Sequence, residues 1–138
     1  MRNPGYILSA CLFFSLALNG CGGTEEEGED RSPAAEAAMS EVITFDLDPI
    51  NEDGLIGPPN GLRSVMYEFC IPSDSASADE VLSIDPSLQL QTGSPGRIGC
   101  TDEQTLCIGD THQSDWKAIL ERLAALEYVT RIDRSFME

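Results

Sequence analysis

The chain has 138 residues, with 24 acidic side chains against eight lysines and arginines and a formal net charge of −16 at pH 7. That imbalance excludes the basic footprint on which nucleic-acid binding depends, and it excludes a polybasic contact with a membrane surface. Five cysteines and a single histidine are the residues left to carry soft-ligand or thiol chemistry.

At the N-terminus, Arg2 precedes an almost wholly apolar run from Tyr6 to Leu18. The run is shorter than the about 20 residues a helix needs to span a bilayer, and it has the length of a signal-peptide core. It closes on Leu18-Asn19-Gly20-Cys21. This tetrapeptide resembles a bacterial lipobox, with a bulky aliphatic residue three before the cysteine and a small residue just before it. Asn19 departs from the small or hydroxyl residue usual at that position. The resemblance implies that residues 1–20 are a signal peptide that is removed. It also implies that Cys21 becomes a lipid-modified N-terminus, palmitate being among the acyl chains such a cysteine carries. Several chains together hold a protein firmly at a membrane. Gly22 stands where an aspartate would resemble an inner-membrane retention signal. The implied address is the cell envelope, lipid-anchored, and in a Gram-negative cell the outer membrane at its periplasmic face or surface.

Removing the signal leaves 118 residues, enough for one small domain and a linker. The acidity is uneven: residues 22–60 carry eleven acids and one base, whereas 61–138 carry thirteen acids and six bases. Residues 22–40, GGTEEEGEDRSPAAEAAMS, are acidic and nearly free of bulky apolar side chains, and so read with Cys21 as a disordered tether, 21–40. Residues 41–61 follow as a loop. Within them EVITFDL, 41–47, is β-branched and aromatic enough for a docking strand.

From residue 62 the pattern is that of a small α+β domain, 62–138. In Arg63–Ile71, Val65, Tyr67, Phe69 and Ile71 alternate with Met66, Glu68 and Cys70, which predicts a half-buried strand. Ser73-Asp74-Ser75 offers capping oxygens for a short helix over 76–84. A second strand is predicted at 87–91, a long turn at 92–103 and a third strand at 104–108. A helix capped by Ser114 or Asp115 runs to Leu126, with Trp116, Ile119, Leu120 and Leu123 on its apolar side, and a fourth strand covers 127–136.

The order β-α-β-β-α-β resembles the ferredoxin-like split βαβ arrangement. That resemblance implies a four-stranded antiparallel sheet with two helices on one face, the first and third strands adjacent at its centre, and an open second face. The stretches YEFCIP, GSPGRIGC and LCIGDTHQ resemble segments of small bacterial proteins to which no activity attaches. The segment ERLAALEYVTRID is also similar to the end of the subtilisin-propeptide type of inhibitor domain, which implies a peptidase-inhibitor-like alternative.

With Cys11 lost in the signal and Cys21 lipidated, Cys70, Cys100 and Cys107 remain, which suits one disulfide and one free thiol in an oxidising compartment. Alternation predicts Glu68, Cys70 and Cys107 on the open face and Tyr67, Phe69, Leu106 and Ile108 under the helices. Cys70–Cys107 is then the preferred pair and Cys100–Cys107 its rival. Cys70, Cys100, Cys107 and His112 are also the ligand types of a Cys₃His zinc site, although their spacing matches no close-paired signature. Asn51, Asp53 and Gly54 resemble part of a calcium loop, but Pro49 and Asn60 fall where carboxylates are needed. Arg97, in a glycine-rich turn, and Glu68, on the open face, are candidate interaction residues. The expected function is therefore a non-catalytic binding domain for an envelope protein or a small ligand, with no cofactor. The alternatives are a thiol or zinc site on Cys70, Cys100, Cys107 and His112, and a peptidase inhibitor.

Overall fold

A computed structural model describes residues 33–136. The expected signal peptide, Cys21 and the first part of the expected tether lie outside the described residues. The elements are α1 (Pro33–Val42), β1 (Leu55–Ile56), β2 (Arg63–Ser64), β3 (Met66–Pro72), α2 (Ser75–Ile84), β4 (Gln89–Thr92), β5 (Gln104–Asp110), α3 (Trp116–Ala124) and β6 (Ile132–Ser135).

Four strands form an antiparallel sheet in the order β4-β5-β3-β6, and β1 pairs with β2 as a separate two-stranded hairpin. The central ladder sets Tyr67 opposite Gly109, Phe69 opposite Cys107 and Cys70 opposite Leu106. This register decides the sheet's faces, because residues directly opposed project to the same side. Tyr67, Phe69 and Ile71 share a buried cluster with Cys107, with Val81 of α2, and with Trp116, Leu120 and Leu123 of α3. Leu106 and Ile108 belong to a second cluster, with Cys100, Met66, Cys70 and Ile98.

The expected facing of β5 is therefore corrected: Leu106 and Ile108 lie with Glu68 and Cys70, and Cys107 lies with the core aromatics. The reason is volume. The Tyr67 ring lies over Gly109, where a Cβ would come within 2.3 Å of the ring. Thr105, Cys107 and Gly109 are the small residues of β5, and they leave room on that side for the aromatics and the helices. The larger Leu106 and Ile108 find their burial on the other side.

Asp74 caps α2, its carboxylate accepting from the Ser77 amide and hydroxyl. Those bonds, the amide's first, hold the Asp74 carboxyl below the usual range. At α3 the N-cap position is Asp115, as expected, yet it sits in the left-handed region (φ 59°) and makes no side-chain capping bond. The final strand is shorter than the sequence suggests. The turns Leu126 N–H to Leu123 C=O and Val129 N–H to Leu126 C=O occupy its first part and place Val129 in the core.

The second half of the expected tether is also corrected, since residues 33–42 form α1. Their alanine-rich composition favours a helix, and Met39 and Val42 pack against the core. The following residues do dock, as 41–47 suggested. Ile43 bridges Ile132 in parallel, and Thr44 donates to the Ile132 carbonyl from both its amide and its hydroxyl. Further on, Gly54 meets Thr111 so closely that an added Cβ would lie 1.6 Å from the Thr111 carbonyl oxygen, and Gly54 adopts φ +76°. Only glycine fits there. The Thr111 hydroxyl donates to the Gly54 carbonyl at 2.6 Å and accepts from the Val65 amide, fastening the 51–56 turn to the end of the sheet.

Candidate functional site

The face expected to be open is roofed by the 93–103 loop. Cys70 on β3 and Cys100 at the end of the loop form a disulfide, with an S–S distance of 2.06 Å and a Cα–Cα distance of 5.6 Å. The Glu68 carboxylate accepts from the Ile98 amide at 2.8 Å, and the Arg131 guanidinium donates to the Ile98 carbonyl at 3.0 Å while pairing with Asp133 at 2.8 Å. Glu68 is thereby buried, only 3 % exposed, and serves to anchor the loop rather than to present a charge. Arg97 is exposed on the same loop and interacts within the chain. The pairing of Cys70 with Cys100 corrects both pairings expected for Cys107. Cys107 is free and lies within the core on the opposite side of the sheet. Burial pushes its thiol up to about 12, far from the thiolate that redox or metal chemistry uses.

The four residues of the expected zinc set are thus not brought together. Two share a disulfide, the third is inside the core, and His112 is exposed beyond the end of β5. Among the described residues no group of three or more histidine, cysteine, aspartate or glutamate side chains could hold a metal ion. The His112 amide donates to Asp110 Oδ1 at 2.6 Å, a turn contact made by the backbone. The 51–54 segment is an acidic turn, as its ligand pattern indicated: Asn51 Oδ1 accepts from the amides of Asp53 and Leu55.

A buried polar network was not legible beforehand. Asp85 is fully buried just after α2. Its carboxylate accepts from the Tyr67 hydroxyl (2.8 Å), the Ser87 amide and hydroxyl (2.9 and 2.6 Å) and the Gln113 side-chain amide (3.1 Å). Desolvation, then the Asp85 charge, raises the Tyr67 hydroxyl far above its ordinary range. Each carboxylate oxygen has two donors, so the group is satisfied and structural. Tyr67→Phe is expected to cost about 1.5–3 kcal/mol of stability, the worth of a hydrogen bond to a charged group. Chemical denaturation measures it, and an unchanged midpoint would show that the Tyr67–Asp85 bond carries no weight.

A second missed feature is a cleft of about 530 Å³ between the β1–β2 hairpin and the β6 edge. Arg63 enters from β2 and Arg134 from β6, and Ile56, Pro58, Met66 and Phe136 supply apolar walls. The Arg134 guanidinium lies 4.8 Å from the centre of the Phe136 ring. Phe136 is 55 % exposed, one of two large apolar side chains so exposed among the described residues. The two arginines are 71 residues apart in sequence, and nothing in their local pattern marks them as neighbours.

No protein-family model, curated protein or solved structure matches this chain.

Proposed function

We propose that this chain is a lipid-anchored envelope protein whose small α+β domain works by binding rather than by catalysis. The observation that carries this reading is the Cys70–Cys100 disulfide. Disulfides persist in secreted and envelope compartments and are rare in a reducing cytosol. The bond therefore agrees with the address implied by the lipobox-like Leu18-Asn19-Gly20-Cys21. The strand order β4-β5-β3-β6, with helices following the first and third strands of that sheet, further supports a ferredoxin-like split βαβ topology. In this variant the face that commonly serves function is closed by a disulfide-tied loop, so binding falls to the rim. The partner is an envelope protein or a small ligand, held near the membrane through Cys21.

The address is tested by replacing Cys21 with serine. Fatty-acid labelling and processing at that site are expected in the native chain and lost in the variant. Persistence of label in Cys21→Ser would overturn the lipid anchor. Cys70 and Cys100 recovered fully reduced from envelope fractions would remove the support drawn from the disulfide.

A further inference from the structure

We infer that the cleft between Arg63 and Arg134 binds an organic oxyanion, a carboxylate or phosphate carried on an apolar or aromatic body. The inference deepens the binding reading above and is independent of the lipid anchor.

Charge distribution comes first. The chain carries 24 carboxylates and eight bases, yet this cleft is lined by two arginines and no carboxylate. Two other depressions are acidic, the one beside His112 with Glu52, Asp53 and Asp115 and the one beside Phe45 with Asp46, Asp48 and Glu121 against Lys117, while the one beside Ile98 has a single arginine, Arg131, already paired with Asp133. Among the described residues, neither Arg63 nor Arg134 has an ion-pair partner. In so acidic a chain, a cleft lined by two arginines and no carboxylate departs from the overall charge, although the Asp110 carboxylate accepts from its Ser64 hydroxyl. Their planar forks suit the paired oxygens of a carboxylate or phosphate.

Shape and polarity supply the second part. The volume falls within the range of small-molecule sites, about 300–1,000 Å³. Phe136 is held under Arg134 with its ring exposed, and Met66, Ile56 and Pro58 continue an apolar floor. An inorganic anion would use the arginines and leave this surface wet. An aryl or alkyl body attached to the anion would cover it. The Ser64 hydroxyl is already committed to Asp110 at 2.7 Å, so anion recognition rests on the guanidinium groups. The walls come from a hairpin of two-residue strands and a strand end, which ties the cleft's width to the hairpin's docking on Thr111.

The test is a titration of the ¹⁵N-labelled full chain, followed by NMR, with 4-phenylbutyrate, phenyl phosphate, 4-phenylbutanol and inorganic phosphate. The two aryl anions are expected to shift amides of residues 56–66 and 134–136, and their relative strengths tell carboxylate from phosphate. The neutral alcohol and inorganic phosphate are expected to bind at least about tenfold more weakly, because each lacks one of the two contacts. Arg63→Ala and Arg134→Ala should each weaken the aryl anions about tenfold or more, with Arg→Lys restoring only part of the loss. Phe136→Ala should weaken the aryl anions and leave inorganic phosphate unchanged. All of these side chains are exposed or line an open surface, so an unaltered melting transition checks that the variants fold. Equal binding of the alcohol and the acid, or aryl-anion binding indifferent to both arginine variants, would overturn the assignment while leaving a binding role elsewhere on the surface intact. The absence of any shift with all four probes would overturn it as well.

Discussion

Phe69→Ala is expected to lower the free energy of unfolding by about 3–5 kcal/mol, the loss typical of a core aromatic truncated to alanine. Phe69 has no solvent exposure and stands opposite Cys107 on the central strand pair. Its ring stacks along Tyr67 with centres 6.3 Å apart, and it belongs to the cluster formed with α2 and α3. The small Cys107 across from it cannot expand to refill the space, so the cavity remains. Urea denaturation should show a lower midpoint with an unchanged slope. Its neighbour Glu68 provides the internal comparison. Glu68→Gln keeps an acceptor for the Ile98 amide, and so should cost less than Phe69→Ala. The opposite ranking would mean that the two faces of β3 are misassigned.

Joint replacement of Cys70 and Cys100 by serine is expected to cost about 2–4 kcal/mol, the usual worth of a native disulfide. The bond closes a segment with a sequence separation of 30 and clamps the 93–103 loop onto Leu106 and Ile108. Without it, the loop is left to hydrogen bonds such as those of Ile98 with Glu68 and Arg131 and of the Glu103 carbonyl with the Ser73 amide. Peptide mapping without reduction should recover the Cys70–Cys100 link. Cys107 should resist alkylation until the chain unfolds, because its thiol is both buried and held protonated. The sign of the pH effect follows. The neutral thiol is favoured in the folded state, so its contribution is fully present below the thiol's unfolded value, about 8.5. It is lost as pH rises from there toward about 12. A linkage that includes Cys107, or rapid alkylation of Cys107 in the folded chain at neutral pH, would contradict this arrangement.

The elements that could be read from the sequence are those whose signal is local. The alternation over 63–71, the Asp74 cap and the apolar spacing of Trp116, Leu120 and Leu123 depend on neighbours within a few residues, and each corresponds to an observed strand, cap or helix. The α+β class with a four-stranded antiparallel sheet follows from their order. Chemistry confined to the side chains themselves was legible too: the charge balance, and the missing carboxylates that mark 51–54 as a turn.

What only the tertiary structure decided is everything that depends on pairing across distance. Alternation states that a strand has two faces without saying which faces the helices, and here both sides of β5 are buried. The register, set by the fit of Tyr67 over Gly109, sends Cys107 inward and Leu106 outward, so the disulfide falls to Cys70 and Cys100. The alanine-rich segment 33–42 gains its helix by packing Met39 and Val42 on a core that composition does not reveal. Arg63 and Arg134 line one cleft only because a short hairpin folds back against the sheet's edge. Periodicity is a property of neighbours along the chain, whereas a cleft, a disulfide and the choice between two faces are properties of which surfaces the folded chain brings together.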